Sequence, residues 1–428
     1  MNAALFQRWL ARVLVLQPEE GRALAWSFAY FFCLLAAYYV LRPLRDEMGI
    51  AGGVRNLHWL FTATFVVMLA AVPVYGAMVA RLPRRRFIPL VYHFFVANLA
   101  IFWLLLSFDV AKVQLARVFF VWISVFNLFA VSVFWSYMAD LFTSEQGKRL
   151  FGFIAAGGSA GALLGPALTV ALALPLGPVN LLLVAALLLE LAVLCARRLE
   201  PAAVCASARV AAPGVLGGGW LAGIAMVLRS PYLAGIALWV SLLSLCGTLL
   251  YFQQASIVAA ASDDPAVRIR IFAGIEFAIG ILTLALQILA TGRLTTAFGV
   301  GRAAAALPLV FGLGFLALAA APMLLVVVAF QALQRTVNFA LSNPAREVLF
   351  TVLAREEKYK AKNVIDIVVF RGADAASGWL FALLRGAGLE LSTIALTAAP
   401  LAGAWLALAL ALGRAQERRA LAGVASGA

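Results

Sequence analysis

The sequence predicts an all-α integral membrane protein with twelve transmembrane helices in two six-helix halves. The chain of 428 residues is 64% hydrophobic and 12% charged, a balance outside the range of soluble domains. Each of twelve apolar stretches is near the ~20 residues that a helix needs to cross a bilayer. Lipid gives backbone groups no hydrogen-bond partner, so helices are the expected spanning form, whereas β-barrel strands would be shorter and would alternate. The predicted spans are 24–40, 57–80, 87–108, 115–138, 151–174, 179–196, 232–252, 271–291, 303–320, 323–342, 364–384 and 389–412.

A basic connector rich in Ala, Gly and Pro separates the sixth span from the seventh. It divides the chain into a first half (1–196), a cytoplasmic linker (197–230), a second half (231–413) and a cytoplasmic tail (414–428). Most of the 33 Lys and Arg residues lie on the side of the two termini, which the positive-inside rule therefore places in the cytoplasm. This distribution accounts for the net charge of +14 and removes the case for a nucleic-acid partner. The basic residues on the opposite side are Arg42, Arg45, Arg55, Lys112, Arg117, Arg268, Arg270 and Arg385.

The two halves resemble each other locally. Leu141-Phe142-Thr143 ends the fourth span and recurs as Leu349-Phe350-Thr351 just after the tenth. In both places a charged loop then leads into a Gly-containing span. Parallel repeats of six spans are the plan of the major facilitator fold, in which substrate binds between the halves near the midplane. We therefore expect a major facilitator-type bundle.

Two arginines lie where the first span ends, in Tyr38-Tyr39-Val40-Leu41-Arg42-Pro43-Leu44-Arg45-Asp46-Glu47. If the helix continues past Val40, Arg42 and Arg45 lie three apart on one face, and Pro43 kinks the helix or ends it just beyond them. Two guanidiniums beside paired tyrosines suit a planar anion such as phosphate or carboxylate. The alternative is an interfacial helix end, at which the arginines reach headgroups and pair with Asp46 or Glu47.

Glu276 is an isolated acid in the eighth span. An ionisable group at membrane depth costs about 2.5–3.5 kcal/mol on insertion scales. We therefore expect Glu276 to have a structural or functional role. Three roles are open for Glu276: it carries a proton, it pairs with an arginine of the first span, or it caps the start of its helix.

The tenth span contains a polar stripe, because Gln331, Arg335, Asn338 and Ser342 follow helical spacing. By the offset of the repeat, Arg335 corresponds to Asn127 of the fourth span. Amides around one arginine suit a cavity for a polar ligand, and the alternative is hydrogen bonding between helices. We predict that Arg42, Arg45, Glu276 and Arg335, with Asn127 and Asn338, bind the substrate.

The eleventh span holds a further pair of charges, Arg371 and Asp374, which lie three apart and favour an ion pair within the helix. Its small residues, which include Ser377 and Gly378, favour close helix packing. The same interpretation applies to Gly157, Gly158 and Gly161 of the fifth span. A phosphate-binding loop would instead need a strand before the glycines.

Enzyme chemistry has little support. The four cysteines are scattered without metal-ligand spacing, and His58 and His93 are predicted at opposite membrane faces. Neither a nucleophile–base pair nor a metal site is expected, and no cofactor is implied.

Three segments resemble the nucleotide transporter family of ATP/ADP translocases, and especially its free-living bacterial relatives. They are Tyr38–Asp46, Leu250-Tyr251-Phe252-Gln253-Gln254 and Lys358–Asp366, and the likeness runs from the first span to the twelfth. It implies a transporter that exchanges ATP for ADP or moves other nucleotides. We expect it to be a monomer in a bacterial inner membrane.

The resemblance places Arg42 or Arg45 as the first-helix cation, Glu276 as the acid of the eighth span and Arg335 as a cation of the tenth. This sequence departs from the nucleotide exchangers, because its fifth span has no acid and no span contains a lysine. Another anionic or zwitterionic substrate is equally compatible.

The leading hypothesis is a secondary transporter of a nucleotide or other organic anion by alternating access. A proton-coupled exporter of amphiphilic compounds, with Glu276 as the proton carrier, is one alternative. A non-transporting membrane scaffold is another.

Overall fold

The computed structural model describes residues 20–81, 84–204, 220–286, 292–353, 357, 361–362 and 364–427, and within these residues it contains helices and no strand. The middle of the predicted linker, 205–219, lies outside the described residues, as does part of the segment 358–366. The long helices are α1 (Glu20–Ala51), α2 (Leu57–Arg81), α3 (Arg84–Ser107), α4 (Lys112–Leu141), α5 (Ser144–Leu176), α6 (Leu181–Val204), α7 (Trp220–Arg229), α8 (Pro231–Ala261), α9 (Pro265–Leu286), α10 (Gly292–Ala320), α11 (Leu324–Val337), α12 (Asn343–Leu349), α13 (Phe370–Gly386) and α14 (Leu391–Gly427).

Among the described residues, eleven helical segments are long and apolar enough to cross a membrane. The sixth predicted span, 179–196, is not one of them: α6 begins only at Leu181, and a membrane-spanning length of it contains Glu190, Arg197 and Arg198. The chain is thus an all-α, multi-pass membrane protein. The first span is also longer than predicted: α1 continues past Val40 to Ala51 with Pro43 inside it.

Two segments adopt the wider π-helix: Asn338–Ser342, which joins α11 to α12, and Ile365–Val369, which precedes α13. Isolated π turns inside α-helices occur frequently at functional sites. Neither π-helical segment was predicted from the sequence.

The chain divides into two compact units. The first unit comprises Met1–Met48, Ala70–Val215 and Asp264–Phe277. Its aromatic core includes Phe31, which stacks on Phe134 with ring centroids 4.1 Å apart. The Tyr30 hydroxyl donates to Tyr92 Oη at 2.7 Å, and Tyr92 donates to the Ala130 carbonyl at 3.1 Å. These buried hydroxyls are satisfied inside the core, as burial requires.

The glycines of α5 explain how closely it packs on α1 in the first unit. A Cβ added to Gly157 would lie 2.6 Å from the Phe28 carbonyl oxygen, and one added to Gly165 would lie 2.7 Å from the Ala36 carbonyl oxygen. Gly161 lies between them and faces the backbone of Phe32. The prediction that these glycines permit close packing is confirmed.

The second unit comprises Gly49–Leu69, Leu216–Asp263 and Ala278–Ala428. In its core the rings of Trp239 and Trp405 lie 5.6 Å apart. Gly301 of α10 faces Gly413 of α14, where a Cβ on Gly301 would lie 3.2 Å from the Gly413 Cα. Gly299 has a φ of 73° and interrupts α10, a backbone conformation that side-chain-bearing residues rarely adopt.

Each unit contains a segment from the other half of the sequence. The beginning of α2, up to Leu69, belongs to the second unit, and the beginning of α9, up to Phe277, belongs to the first. Residues of α1 and of α9 are therefore part of one compact body, although more than 200 positions separate Glu47 from Arg268. The division of the chain at 197–230 stays a prediction.

The repeated tripeptide has a different local role in each unit. Thr143 caps α5: its hydroxyl accepts from the Gln146 backbone N–H, and the Gln146 side chain accepts from the Thr143 backbone N–H. This reciprocal arrangement satisfies two amides that a helix start leaves open. Thr351 instead donates its hydroxyl to the Val348 carbonyl at 2.7 Å.

Candidate functional site

A buried ion pair joins the end of α1 to α9 within the first unit. Arg42 Nε lies 3.3 Å from Glu276 Oε1, and the Glu276 side chain is only 5% exposed. The Arg42 guanidinium also lies 5.7 Å from the centre of the Tyr39 ring. Of the three roles open for Glu276, pairing with an arginine of the first span is the one that this geometry favours. Capping is wrong, because α9 begins at Pro265 and Glu276 lies well inside it.

Arg45 lies on the same helix, with its guanidinium 4.3 Å from the centre of the Phe120 ring and 3.8 Å from an oxygen of Asp46. Pairing with a neighbouring acid of α1, one part of the interfacial alternative, is thus seen for Arg45, whereas Arg42 pairs with Glu276 of α9. An arginine on an aromatic face within the unit keeps a planar donor set that suits carboxylates and phosphates.

A second ion pair between α1 and α9 was missed by the sequence analysis. Arg268 donates to both oxygens of Glu47, at 2.6 Å each, and the Glu47 side chain is 3% exposed. Pairing of Glu47 with an arginine of its own helix was one alternative in the sequence analysis. A bidentate pair across helices is stronger and more specific in geometry, but no spacing rule connects residues so far apart in sequence.

Asn127 belongs to the first unit with Arg42, Arg45 and Glu276, and it is half-buried on α4. Arg335 and Asn338 belong to the second unit, and both are half-buried. That all six residues surround one substrate stays a prediction.

Arg335 lies near the end of α11, with its guanidinium 5.6 Å from the centre of the Phe339 ring. Directly after it, the π turn Asn338–Ser342 changes the angle between successive side chains. The residues that α-helical spacing predicts on one face of the helix therefore do not stay on one face beyond Asn338. Gln331 and Ser342 are buried, whereas Arg335 and Asn338 stay partly exposed.

Glutamines form a chain in the second unit. Gln334 donates to Gln331 at 2.8 Å, and Gln331 donates to Gln254 of α8. Hydrogen bonding between helices, the alternative for this stripe, thus holds for Gln331, which bonds to Gln254 of α8. The neighbouring Gln253 is fully buried, and neither of its amide atoms has a hydrogen-bond partner among the described residues.

Asp374 of α13 is the centre of another buried polar cluster. It accepts from the Ser244 hydroxyl at 2.6 Å and from the Thr248 hydroxyl at 2.9 Å, both on α8. Arg371 lies 3.4 Å away on the same helix, which confirms the predicted ion pair. The bonds to α8 make this cluster a link between helices, in keeping with the packing role expected of this span.

An Asp374→Ala variant is expected to unfold at a clearly lower temperature than the wild type. The change leaves the Thr248 hydroxyl and Arg371 without their acceptor, and a buried donor left unsatisfied costs about 1–3 kcal/mol. Thermal unfolding in one detergent measures the effect. Asp374→Asn keeps an acceptor oxygen and is expected to lose less, and Asp263→Ala, in an exposed loop, is expected to be neutral. Equal losses for Asp374→Ala and Asp263→Ala would contradict the role.

Each unit also has an ion pair at a helix end on the side predicted to be cytoplasmic. In the first unit Glu20, 1% exposed, accepts from Arg149 at 2.8 Å and from Gln146 at 3.0 Å. In the second unit Arg346 lies 3.4 Å from Asp366. These contacts fix the ends of α1, α5 and α12. Among the described residues, no cluster of His, Cys, Asp and Glu could hold a metal ion.

No protein-family model matches the sequence. No curated protein matches it either. Solved structures do match: the nucleoside transporter NupG, in a mutant form, has a TM-score of 0.66 at 13% identity, covering 92% of this chain and 99% of that one. An auto-inhibited peptide transporter of the POT family has a TM-score of 0.64 at 14% identity, covering 93% and 97%. A bacterial homologue of the human lysosomal transporter Spinster, inward-facing and unoccupied, has a TM-score of 0.53 at 13% identity, covering 94% and 98%. At these identities the likeness shows the fold: the chain has the all-α fold of the major facilitator-type transporters.

Proposed function

We propose that this protein is a secondary transporter that moves a nucleotide or another organic anion by alternating access. The observation that supports the proposal most strongly is the Arg42–Glu276 pair, because it places a guanidinium and a carboxylate inside a membrane-spanning bundle. Ionisable groups at membrane depth are costly and usually belong to substrate or ion pathways.

The chemistry of the pair suits an anionic substrate. A guanidinium offers several donors in a planar fork that matches carboxylate and phosphate oxygens. Glu276 supplies the counter-charge to Arg42 while no substrate is bound, and an incoming anion would compete for the same donors. Such competition lets the substrate itself change the contacts between α1 and α9, which alternating access requires.

The residues proposed to bind the substrate are Arg42, Arg45, Glu276, Asn127, Arg335 and Asn338. In this fold, substrate binds between the halves near the bilayer midplane. The six residues are therefore proposed to act together, with the arginines holding charge and the amides holding polar groups.

A nucleotide is the proposed substrate for three reasons. Tyr38–Asp46 resembles the corresponding segment of the ATP/ADP translocases, and Tyr38 and Tyr39 form an aromatic pair with ring centroids 5.3 Å apart beside Arg42. Aromatic rings beside arginines suit a base and a phosphate together. The structural neighbour NupG is a nucleoside transporter, which adds a related substrate class. The proposed location is a bacterial inner membrane with both termini cytoplasmic.

Counterflow into proteoliposomes tests the proposal. Labelled ADP is expected to accumulate only when the vesicles contain unlabelled ATP or ADP. Arg335→Ala is expected to reduce the initial rate at least about tenfold, because a hydrogen bond to a charged group contributes about 1.5–3 kcal/mol. The matched control is Arg302→Ala, an exposed arginine of α10 outside the proposed site.

Three outcomes are distinct. Uptake that needs internal nucleotide and fails only in Arg335→Ala supports a nucleotide exchanger. If Arg335→Ala and Arg302→Ala take up nucleotide at equal rates, Arg335 does not bind the substrate. No nucleotide uptake by folded, inserted protein would exclude nucleotides and direct the search to other organic anions.

A further inference from the structure

The second unit contains a pocket of about 620 Å³ that includes none of the residues proposed to bind the transported substrate. It lies between the start of α2, the end of α8 and the end of α13. We call it the outer pocket and define it by Arg55, His58, Phe252, Ser256, Phe381 and Arg385, which are among its lining residues. Arg55 and Arg385 are on the side that the charge distribution predicts to be non-cytoplasmic.

Arg55 and Arg385 differ from most other basic residues of the predicted non-cytoplasmic side in having no acidic partner among the residues that the structure describes. Arg42, Arg268 and Lys112 each have a carboxylate oxygen within 3.3 Å. Among the described residues, Arg385 donates to the Leu389 carbonyl at 2.9 Å but has no carboxylate partner, and the Arg55 side chain has neither an ion pair nor a hydrogen bond. The pocket therefore has two guanidiniums whose charge nothing in the described part of the chain balances.

The other walls of the outer pocket are apolar. Phe252 and Phe381 are almost fully buried, and their ring centroids lie 5.1 Å apart. Ser256 adds little polarity, because its hydroxyl donates to the Phe252 carbonyl at 2.9 Å. A pocket lined by both cationic and aromatic side chains suits a ligand with an anionic group and an apolar part.

A small residue brings His58 to the pocket. Gly378 of α13 lies so close to α2 that an added Cβ would be 3.2 Å from the His58 Cα. The His58 ring then packs edge-on against Trp379, with centroids 4.5 Å apart. Trp379 in turn donates its indole N–H to Thr62 at 3.0 Å. The imidazole is therefore held at the pocket wall by packing, and it adds a third nitrogen-bearing side chain to the lining.

We propose that the outer pocket binds an organic anion with an aromatic or aliphatic group, such as a phosphate monoester or a carboxylate. Arg55 and Arg385 hold the anionic group, and Phe252 and Phe381 contact the apolar part. The same chemistry is offered by a free organic phosphate and by the headgroup of an anionic phospholipid. The proposal stands on the pocket and does not depend on which substrate is transported.

Binding to the purified full-length protein in an uncharged detergent tests the proposal in two arms. In the first arm, phenyl phosphate is titrated and followed by saturation-transfer NMR. In the second, phosphatidylglycerol or phosphatidylcholine is added and lipid retention is followed by native mass spectrometry. The variants are Arg55→Gln, Arg385→Gln and their combination. Arg270→Gln is the matched control, since Arg270 is an exposed arginine of the same predicted side that does not line the pocket.

We expect the double variant to weaken binding of phenyl phosphate, of phosphatidylglycerol or of both at least about tenfold, as loss of hydrogen bonds to a charged group implies. The Arg270→Gln control should bind as the wild type does, and unfolding temperatures should agree across the variants. The arm that shows the loss identifies the free or the lipid source. Equal binding by double variant, control and wild type in both arms would overturn the proposal, as would the absence of binding by the wild type to either probe.

Discussion

A Gly161→Ala variant is expected to unfold at a much lower temperature than the wild type or to fail to accumulate folded. Gly161 of α5 faces the backbone of α1: an added Cβ would overlap the Phe32 carbonyl oxygen and lie 2.9 Å from the Ala36 nitrogen. A side chain can rotate away from such a contact, but a helix backbone cannot. Adding a methyl group to a well-packed core costs about 1–3 kcal/mol, and a contact with backbone belongs at the upper end or above.

The matched control lies on the same helix. Gly152 has nothing within 4 Å of an added Cβ. Alanine favours helix over glycine by about 1 kcal/mol, so Gly152→Ala is expected to be neutral or slightly stabilising. Thermal unfolding followed by size-exclusion chromatography in one detergent compares the two variants. Similar midpoints for Gly161→Ala and Gly152→Ala would contradict the close packing of α5 on α1.

These glycines also show what the sequence can predict about packing. Small residues in the fifth span predicted a close helix contact, and this is confirmed. The partner helix was not predictable, because a glycine pattern describes only the surface that carries it. That α1 is the partner follows from the three-dimensional arrangement of the whole unit.

The membrane spans were predictable for a different reason. Hydropathy is a property of each segment alone, so it locates helices without knowledge of their neighbours. The end of the first span was predicted too early. Two arginines and a proline (Arg42, Pro43 and Arg45) are typical of the end of a membrane-spanning helix. In the structure α1 continues to Ala51. The pairing of Arg42 with Glu276 and the packing of Arg45 on Phe120 give both charges a partner beyond Val40.

Pairs between distant helices were the least predictable feature of the candidate site. Arg42 and Glu276 were each predicted to have a role because charged groups are costly in a membrane. Their pairing was one of several alternatives. Glu47 and Arg268 were assigned no joint role, since local periodicity gives no information on residues in different helices. Nothing in the sequence indicates the π turns at Asn338–Ser342 and Ile365–Val369 either. A π turn has one additional residue per turn, and this does not require a different amino-acid composition.

The Arg42–Glu276 pair is expected to separate stability from transport when its members are changed singly and together. Arg42→Gln leaves the Glu276 carboxylate buried without its arginine. Removing one partner of a buried ion pair costs about 3–5 kcal/mol, much of it for the charge left behind. The single variant should therefore lose both thermal stability and counterflow.

The double variant Arg42→Gln/Glu276→Gln removes both charges and should recover much of the lost stability, because the cost of breaking a buried pair comes mainly from the charge left uncompensated. The control is Lys112→Gln. Lys112 pairs with Asp109 at 2.7 Å, but its side chain is 61% exposed, and surface pairs contribute little. Its unfolding temperature and its counterflow should stay close to those of the wild type.

Counterflow by the double variant then distinguishes a structural pair from a substrate-binding one. If Arg42 serves only to balance Glu276, restored stability should bring restored transport. If Arg42 holds the anionic substrate, transport should stay at least about tenfold below the wild type even in a protein of normal stability. If stability and transport recover together in the double variant, Arg42 does not bind the substrate. Recovery of stability alone would mean that the guanidinium contributes to transport beyond its pairing with Glu276.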